Sequence, residues 1–409
     1  MQSFVLNSTF RYVKITAEKT HMYIVDAKTF TKFAVLEALY WAFIAAFAGY
    51  TSTYLLSCGL SSTALSIMLA TYMGLSFIGA FFWGSMCDRL KTNRKVFIFS
   101  FTATLLAALA IYFTAQKNVW IAACMYPAAG FLFAPLGSNL DSWMLRSFNR
   151  DASVYGRARS LGSAGFAVMM LVMGQLINAL GYIVMPFAFG ISAALVLIMA
   201  LITKEEPYEV RATATKEKNS PAELFKIRPY MFLVVILFTT GIAVSPINNL
   251  KTVIISSVGG DVSILGLDSF IGVMVQAVFI FISGNLRVIP SSLRLVLMSV
   301  CELITMILIF TAAGPAMVIL GTVFNNVSYG LMLPTMREIT EKSVSGSLKN
   351  TAHSLSDAMY GSFAGIIALL YSGVMMDSLG ARSVALLGAG IMLIPVSLSI
   401  YNYLKKRGA

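Results

Sequence analysis

Asp141 and Arg159 stand eighteen positions apart in a chain where charge is scarce, each in or beside a long apolar run. A charge at mid-membrane costs about 2.5–3.5 kcal/mol on insertion scales, so such a residue faces a partner or a wet cavity. An arginine fork with a carboxylate beside it suits a ligand rich in hydroxyls or carboxylates. The same two residues would serve equally as a structural salt bridge near one face of the membrane, and that alternative stays open here. Glu37, Glu302 and Asp357 are the other acids well inside apolar runs, and Lys251 is the one lysine there. Burial disfavours the charged form of a carboxyl, which makes Glu37, Asp141, Glu302 and Asp357 candidates for carrying a proton. Asp268, within two turns of the end of its run, is expected at the outer surface. Asn248, Asn249, Gln276, Asn325 and Asn326 would be liabilities towards lipid, so a polar lumen or a helix partner is expected for each. Asn325 and Asn326, beside Tyr329 and Pro334, would line a solute path in a broken or bent helix.

The elements that must hold these residues follow from composition. Of 409 residues, 58% are hydrophobic and 12% charged, with a mean hydropathy of +0.79. A soluble domain carries about 25% charged residues, and halving that share removes most of the solvated surface it needs. A helix rises about 1.5 Å per residue and the hydrocarbon layer is about 30 Å thick, so roughly 20 apolar residues span it. Twelve runs qualify: 33–57, 61–85, 96–115, 118–145, 160–179, 181–203, 229–257, 262–285, 295–313, 316–336, 352–376 and 381–404. The reading is an all-α membrane protein, twelve transmembrane helices in two six-helix halves with pseudo-two-fold symmetry. It divides into a tail (1–32), an amino-terminal bundle (33–203), a polar central loop (204–228), a carboxyl-terminal bundle (229–404) and a short tail (405–409).

The basic residues give this scheme an orientation. With the spans so placed, every lysine and arginine falls on one side except Lys117 and Arg382 opposite and Lys251 within a span. The positive-inside rule puts that side, with both termini and the central loop, in the cytoplasm of a cell-membrane protein. The same placement argues against nucleic acid as the partner of the +12 charge. Cys58, Cys87, Cys124 and Cys301 have no metal spacing and are expected to pack. The first 32 residues carry no cleavage-like signal and read as a tail. His21 and His353 read as ordinary surface groups. No cofactor is implied.

Two further patterns bear on architecture. The fifth span ends Gly174-Gln-Leu-Ile-Asn178-Ala-Leu-Gly181, and the eleventh ends Gly373-Val-Met-Met-Asp377-Ser-Leu-Gly380. Small residues recur in membrane helices for close packing, yet with a six-plus-six count this repeat points to a two-fold transporter architecture. Between the second and third spans stand Gly84, Asp88, Arg89, Arg94 and Lys95. A glycine at the helix end admits a close neighbour, and Asp88 is placed to pair across the half as a latch.

That loop resembles the signature loop of the major facilitator superfamily, with Lys91 in place of the usual glycine; the turn at 284–294 is a degenerate copy without the acid. A narrower resemblance covers Asp141 and Tyr155-Gly-Arg157-Ala-Arg159-Ser-Leu-Gly162-Ser163-Ala-Gly165-Phe166, which is similar to the oligosaccharide:proton symporter group that includes the lactose permeases. There the acid and the second arginine bind sugar hydroxyls, and an aromatic seven residues on stacks on the ring. The resemblance carries these roles to Asp141, Arg159 and Phe166, with Ser163 nearby; the group's tryptophan is Phe166 here. Because the seventh and eleventh helices are neighbours in the superfamily, Lys251 and Asp357 are expected to pair. The group's proton relay in the carboxyl half is largely missing, with Val273, Cys301 or Glu302, Gly321, Phe324 and Val327 at its places. The resemblance implies an importer of a small polar solute (an oligosaccharide, a nucleoside or similar) by alternating access, a symporter in the sugar-transport mould with protons as the coupling partner. An exporter is the alternative, disfavoured because residues 160–176 hold no proline. A sensor or enzyme is disfavoured because no nucleophile–base or metal-ligand constellation is present.

Overall fold

The helices pack in the same pairs twice. The structure is a computed structural model describing residues 26–149, 151–206, 221–282, 288–344 and 348–407. Residues 1–25 with His21, most of the central loop, and the 284–287 turn lie outside them. Its spans are α1 (Ala27–Ser57), α2 (Ser62–Leu90), α3 (Arg94–Ala115), α4 (Val119–Ser147), α5 (Ala152–Leu180) and α6 (Val184–Ile202). The second half has α7 (Arg228–Asn249, continued by Lys251–Ser257), α8 (Val262–Phe281), α9 (Ser291–Phe310) and α10 (Pro315–Ser343). It closes with α11 (Lys349–Ala358, a π-helical turn Met359–Phe363, then Ala364–Leu379) and α12 (Ser383–Arg407). Twelve helices among the described residues are long and apolar enough to cross a membrane.

In the first half α5 packs on α1, α4 on α2 and α3, and α6 on α1 and α3. In the second, α11 packs on α7, α10 on α8 and α9, and α12 on α7 and α9. That recurrence is the pseudo-two-fold. α3, α6 and their counterparts α9 and α12 sit outermost and carry exposed apolar stripes, such as Phe99, Leu106 and Phe113 one heptad apart on α3.

Two prolines shape the inner helices. Proline has no N–H, so the carbonyl four residues earlier loses its helical donor. Pro135 orphans the Phe131 carbonyl, and Trp83 of α2 donates its indole N–H to that oxygen at 3.0 Å. Pro246 orphans the Ile242 carbonyl, and the Tyr371 hydroxyl of α11 donates to it at 3.3 Å. Just beyond Pro246 the helix gives way at Leu250 and restarts at Lys251, so the run expected as one span over 229–257 is broken. Of the broken or bent helix expected around Pro334, the break is absent: α10 runs without interruption from Pro315 to Ser343.

The halves meet at the end remote from the termini. There α5 crosses α8, with Gly174 against Val262 and Gly266, and α11 crosses α2, with Gly373 against Ser62 and Thr63. The internal repeat marks these two crossings, and each helix ends at a glycine with positive φ, Gly181 at 77° and Gly380 at 91°. At the other end the halves part. Gly84 has no atom within 4 Å of where a Cβ would stand, so the close approach expected of it is made elsewhere on α2. Gly79 lies against Phe131, and Gly130 against Tyr72 and Ser76.

The loop between α2 and α3 braces the first half from within. Arg94 donates Nε to the Ala200 carbonyl at 2.9 Å and a second N–H to Leu201, covering the last turn of α6. Glu205 in turn accepts from the backbone N–H groups of Asn93 (2.6 Å) and Arg94 (3.2 Å) and from Arg146 (3.3 Å). Asp88, Arg89 and Lys95 are exposed at the parted end.

Candidate functional site

α1, α4 and α5 converge on one charged group. Arg159 of α5 has Nε 3.7 Å from Asp141 Oδ1 of α4, and its guanidinium lies over the Trp41 ring of α1, 4.3 Å from the centroid. Glu37, one helical turn before Trp41, is 1% exposed and lies beside Asp141 and Arg159. Its Oε2 has no hydrogen-bond partner among the described residues. Gly162 makes the cluster possible: a Cβ there would stand 2.5 Å from Trp41 Cδ1, 3.0 Å from Glu37 Oε2 and 3.1 Å from Arg159. The group therefore holds two carboxyls and one guanidinium.

Trp41 connects this group to a cavity. Its ring meets Phe166 edge-on at 6.3 Å, and Phe166 lines a cavity of about 290 Å³ between the halves. On the first half the wall is aromatic, with Tyr72 and Tyr126 stacked at 5.0 Å beside Phe166. Opposite, Asn248, Asn249, Lys251 and Thr252 come from the break in α7. A discontinuous transporter helix is where unpaired backbone and side-chain groups are presented to a solute. The wall thus offers flat apolar faces on one side and amide and hydroxyl groups on the other.

Several expected residues lie elsewhere. Lys251 pairs with Asp268 of α8, Nζ to Oδ2 at 2.9 Å, and donates to Thr322 Oγ1 at 3.0 Å. Asp268 is fully buried (0% exposed), so its expected place at the outer surface is wrong. The expected Lys251–Asp357 pair does not form either. Lys251 lies near the closed end of α7 and Asp357 near the parted end of α11, at different depths. Asp357 is exposed and instead meets Arg337 at 2.8 Å. Glu302 is 1% exposed, and Asn325 donates to its two oxygens at 3.2 and 3.1 Å, so that amide serves a helix partner rather than the cavity. Asn326 bonds to the Thr322 carbonyl and packs at Gly272. Ser163 and Gln276 are partly buried outside the cavity lining. His353 meets Glu341 at 2.8 Å.

Sequence reasoning missed Trp41, Tyr72, Tyr126 and Asp268. The four-residue step from Glu37 to Trp41 is a same-face signal that was there to use. Lys251–Asp268 was missed because Asp268 was expected at the outer surface.

The MFS_1 like family matches residues 30–387. An uncharacterized transporter of Bacillus subtilis strain 168, YwbF, is 26% identical over 324 residues, 78% of this chain and 79% of that protein. The maltose permease of Geobacillus stearothermophilus is 26% identical over 238 residues, 58% of this chain and 60% of that protein. Among solved structures, the nucleoside transporter NupG superposes with a TM-score of 0.79 at 14% identity, covering 92% of this chain and 99% of that one.

Proposed function

The chain belongs to the MFS_1 like family of membrane transporters, and on that premise we propose that it imports a compact, ring-bearing polar solute by alternating access, in symport with a proton. It is a carrier rather than an enzyme. The observation that carries the proposal is the Glu37–Asp141–Arg159 group, joined through Trp41 and Phe166 to the cavity between the halves. Rings at Tyr72, Tyr126 and Phe166 suit the flat face of a sugar or nucleobase. The Arg159 fork and the amides of Asn248 and Asn249 suit hydroxyls. The maltose permease relative is named for a solute of that kind. At about 290 Å³ the cavity is at the lower end for ligand pockets, which favours a nucleoside or small saccharide.

Proton coupling rests on charge. Two carboxyls share one guanidinium in a membrane-embedded wall, so the group carries one acid in excess. Glu37, with an unpartnered oxygen, is the proposed proton carrier. With the basic side in the cytoplasm, the parted end opens inward and the crossings at Gly174 and Gly373 seal the outside.

The test is uptake of labelled nucleosides and oligosaccharides into proteoliposomes, with and without a pH gradient. Gradient-driven accumulation of a member of that panel is expected, abolished by Asp141→Asn and Arg159→Lys with expression intact. Glu37→Gln is expected to keep solute exchange and lose accumulation. Uptake indifferent to the gradient removes the proton, and unchanged binding in both site variants removes the site.

A further inference from the structure

In the repeat shared by α5 and α11, the neutral Asn178 of the first copy stands where the second has a charged residue, Asp377. Each copy faces the start of a helix in the other half, α8 for Asn178's turn and α2 for Asp377's. The first turn of a helix presents unpaired N–H groups and favours negative charge. At α8 that charge is supplied in cis. Asp261 Oδ1 accepts from the Ser263 and Ile264 N–H groups at 2.9 and 3.1 Å. At α2 the residue in the capping place is neutral: Ser61 accepts from the Ala64 N–H at 3.2 Å. The charge comes instead from the other half. Asp377 Oδ1 accepts from the Ser62 N–H at 3.2 Å, and Oδ2 from the Thr63 N–H at 2.8 Å and its hydroxyl at 2.6 Å.

We infer that Asp377 is the outer latch of the carrier, a positioning residue that sets how readily the outer side opens. The inference rests on the alternating-access reading above. Opening the outside separates α11 from α2, and only there does a carboxylate leave the N–H groups it serves. At the α5–α8 crossing no such charge is lost, because Asp261 stays with its own helix. The Thr53–Thr252 hydroxyl contact at 2.9 Å joins two neutral groups and adds little by comparison. One seam of a two-fold pair is thus held by packing, with Gly174 on Gly266, and the other by packing plus a charged cap.

The test separates latching from simple helix capping. Spin labels at Lys117 and Ala313, in loops of the two halves on the closed side, report outer opening in lipid nanodiscs without any solute. Asp377→Ala should raise the open-to-closed ratio by roughly two- to thirtyfold, the span expected for loss of a helix cap. Ser61→Asp combined with Asp377→Ala restores a cap to α2 in cis but not the link between halves. It should recover thermal stability and keep the open-shifted distances. Distances unchanged in Asp377→Ala, or restored together with stability in the double variant, overturn the latch. Failure of the transport reading is told apart by the uptake panel: no solute accumulates in the parent protein, whatever the distances do.

Discussion

Replacing Lys251 by methionine strips the partner from a carboxylate that has no access to solvent. Asp268 is 0% exposed, its Oδ2 is 2.9 Å from Lys251 Nζ, and its Oδ1 has no hydrogen-bond partner among the described residues. Breaking a buried pair on one side costs about 3–5 kcal/mol, because the remaining charge is left uncompensated. Asp268→Leu should cost less, near the lower end of that range. The abandoned ammonium keeps Thr322 and remains 14% exposed towards the cavity. Changing both residues removes the two charges together and leaves an apolar contact of similar volume. The double variant Lys251→Met/Asp268→Leu is therefore expected within about 1 kcal/mol of the parent or above it. The coupling energy between the sites should then be at least about 2 kcal/mol. Reversible unfolding in mixed micelles across the four proteins measures it. Single variants that each cost under about 1 kcal/mol, and add, would refute the reasoning.

Three further outcomes are expected. Trp83→Phe and Tyr371→Phe should each destabilise by about 1–3 kcal/mol, since each leaves a proline-orphaned carbonyl unpaired; in a Pro135→Ala background, where Phe131 regains its helical donor, thermal melts should show the Trp83→Phe loss shrinking. Gly162→Ala should weaken solute binding in counterflow at least about tenfold, by driving a methyl between Trp41, Glu37 and Arg159. Gly156→Ala, with nothing within 4 Å, is the silent control on the same helix. Asp261 is held below its ordinary carboxylate range by the Ser263 hydroxyl and the α8 N–H groups. Its folded value is depressed, so its cap is intact above the ordinary value of about 3.9 and is lost as pH falls through the lower folded one. Hydrogen exchange in the first turn of α8 should be flat, after correction for intrinsic rates, from neutral pH to about 4 and rise only below it.

The sequence made the helices legible because a membrane forces long apolar runs, and a run of twenty residues has few alternatives. It also brought Asp141 and Arg159 together, through the resemblance of their segment to the oligosaccharide:proton symporter group and the scarcity of charge within the spans. What escaped it depended on depth in the bundle and on backbone irregularity. Lys251 was paired with Asp357 because α7 and α11 are neighbours, but the two lie towards opposite ends of the bundle, whereas Asp268 lies in the second turn of α8 at the depth of Lys251. Pro334 looked like a break and is not one, whereas Pro246 precedes the break that is there. Gly84 looked like a packing glycine because of its motif, but the halves part on that side and nothing approaches it.

The buried charges follow a balance that the symmetry of the fold does not dictate. Each half sets a buried acid near an ion pair: Glu37 with Arg159–Asp141, and Glu302 with Lys251–Asp268. These acids sit on α1 and α9, which are not counterparts, and their surroundings differ in kind. Asn325 offers its amide to both oxygens of Glu302, a neutral donor that tolerates a carboxylate or an acid. Glu37 has an oxygen with no donor, so it depends on the field of Arg159 or on a proton. On the proposed cycle a solute that draws the Arg159 fork towards its own hydroxyls weakens that field, and the proton becomes the remaining way to neutralise the pair of carboxyls. By reciprocity, a proton already there releases Arg159 for the solute. Solute and proton then favour each other's binding, which is what symport requires, and on this reading α1, α4 and α5 supply both sites in one cluster.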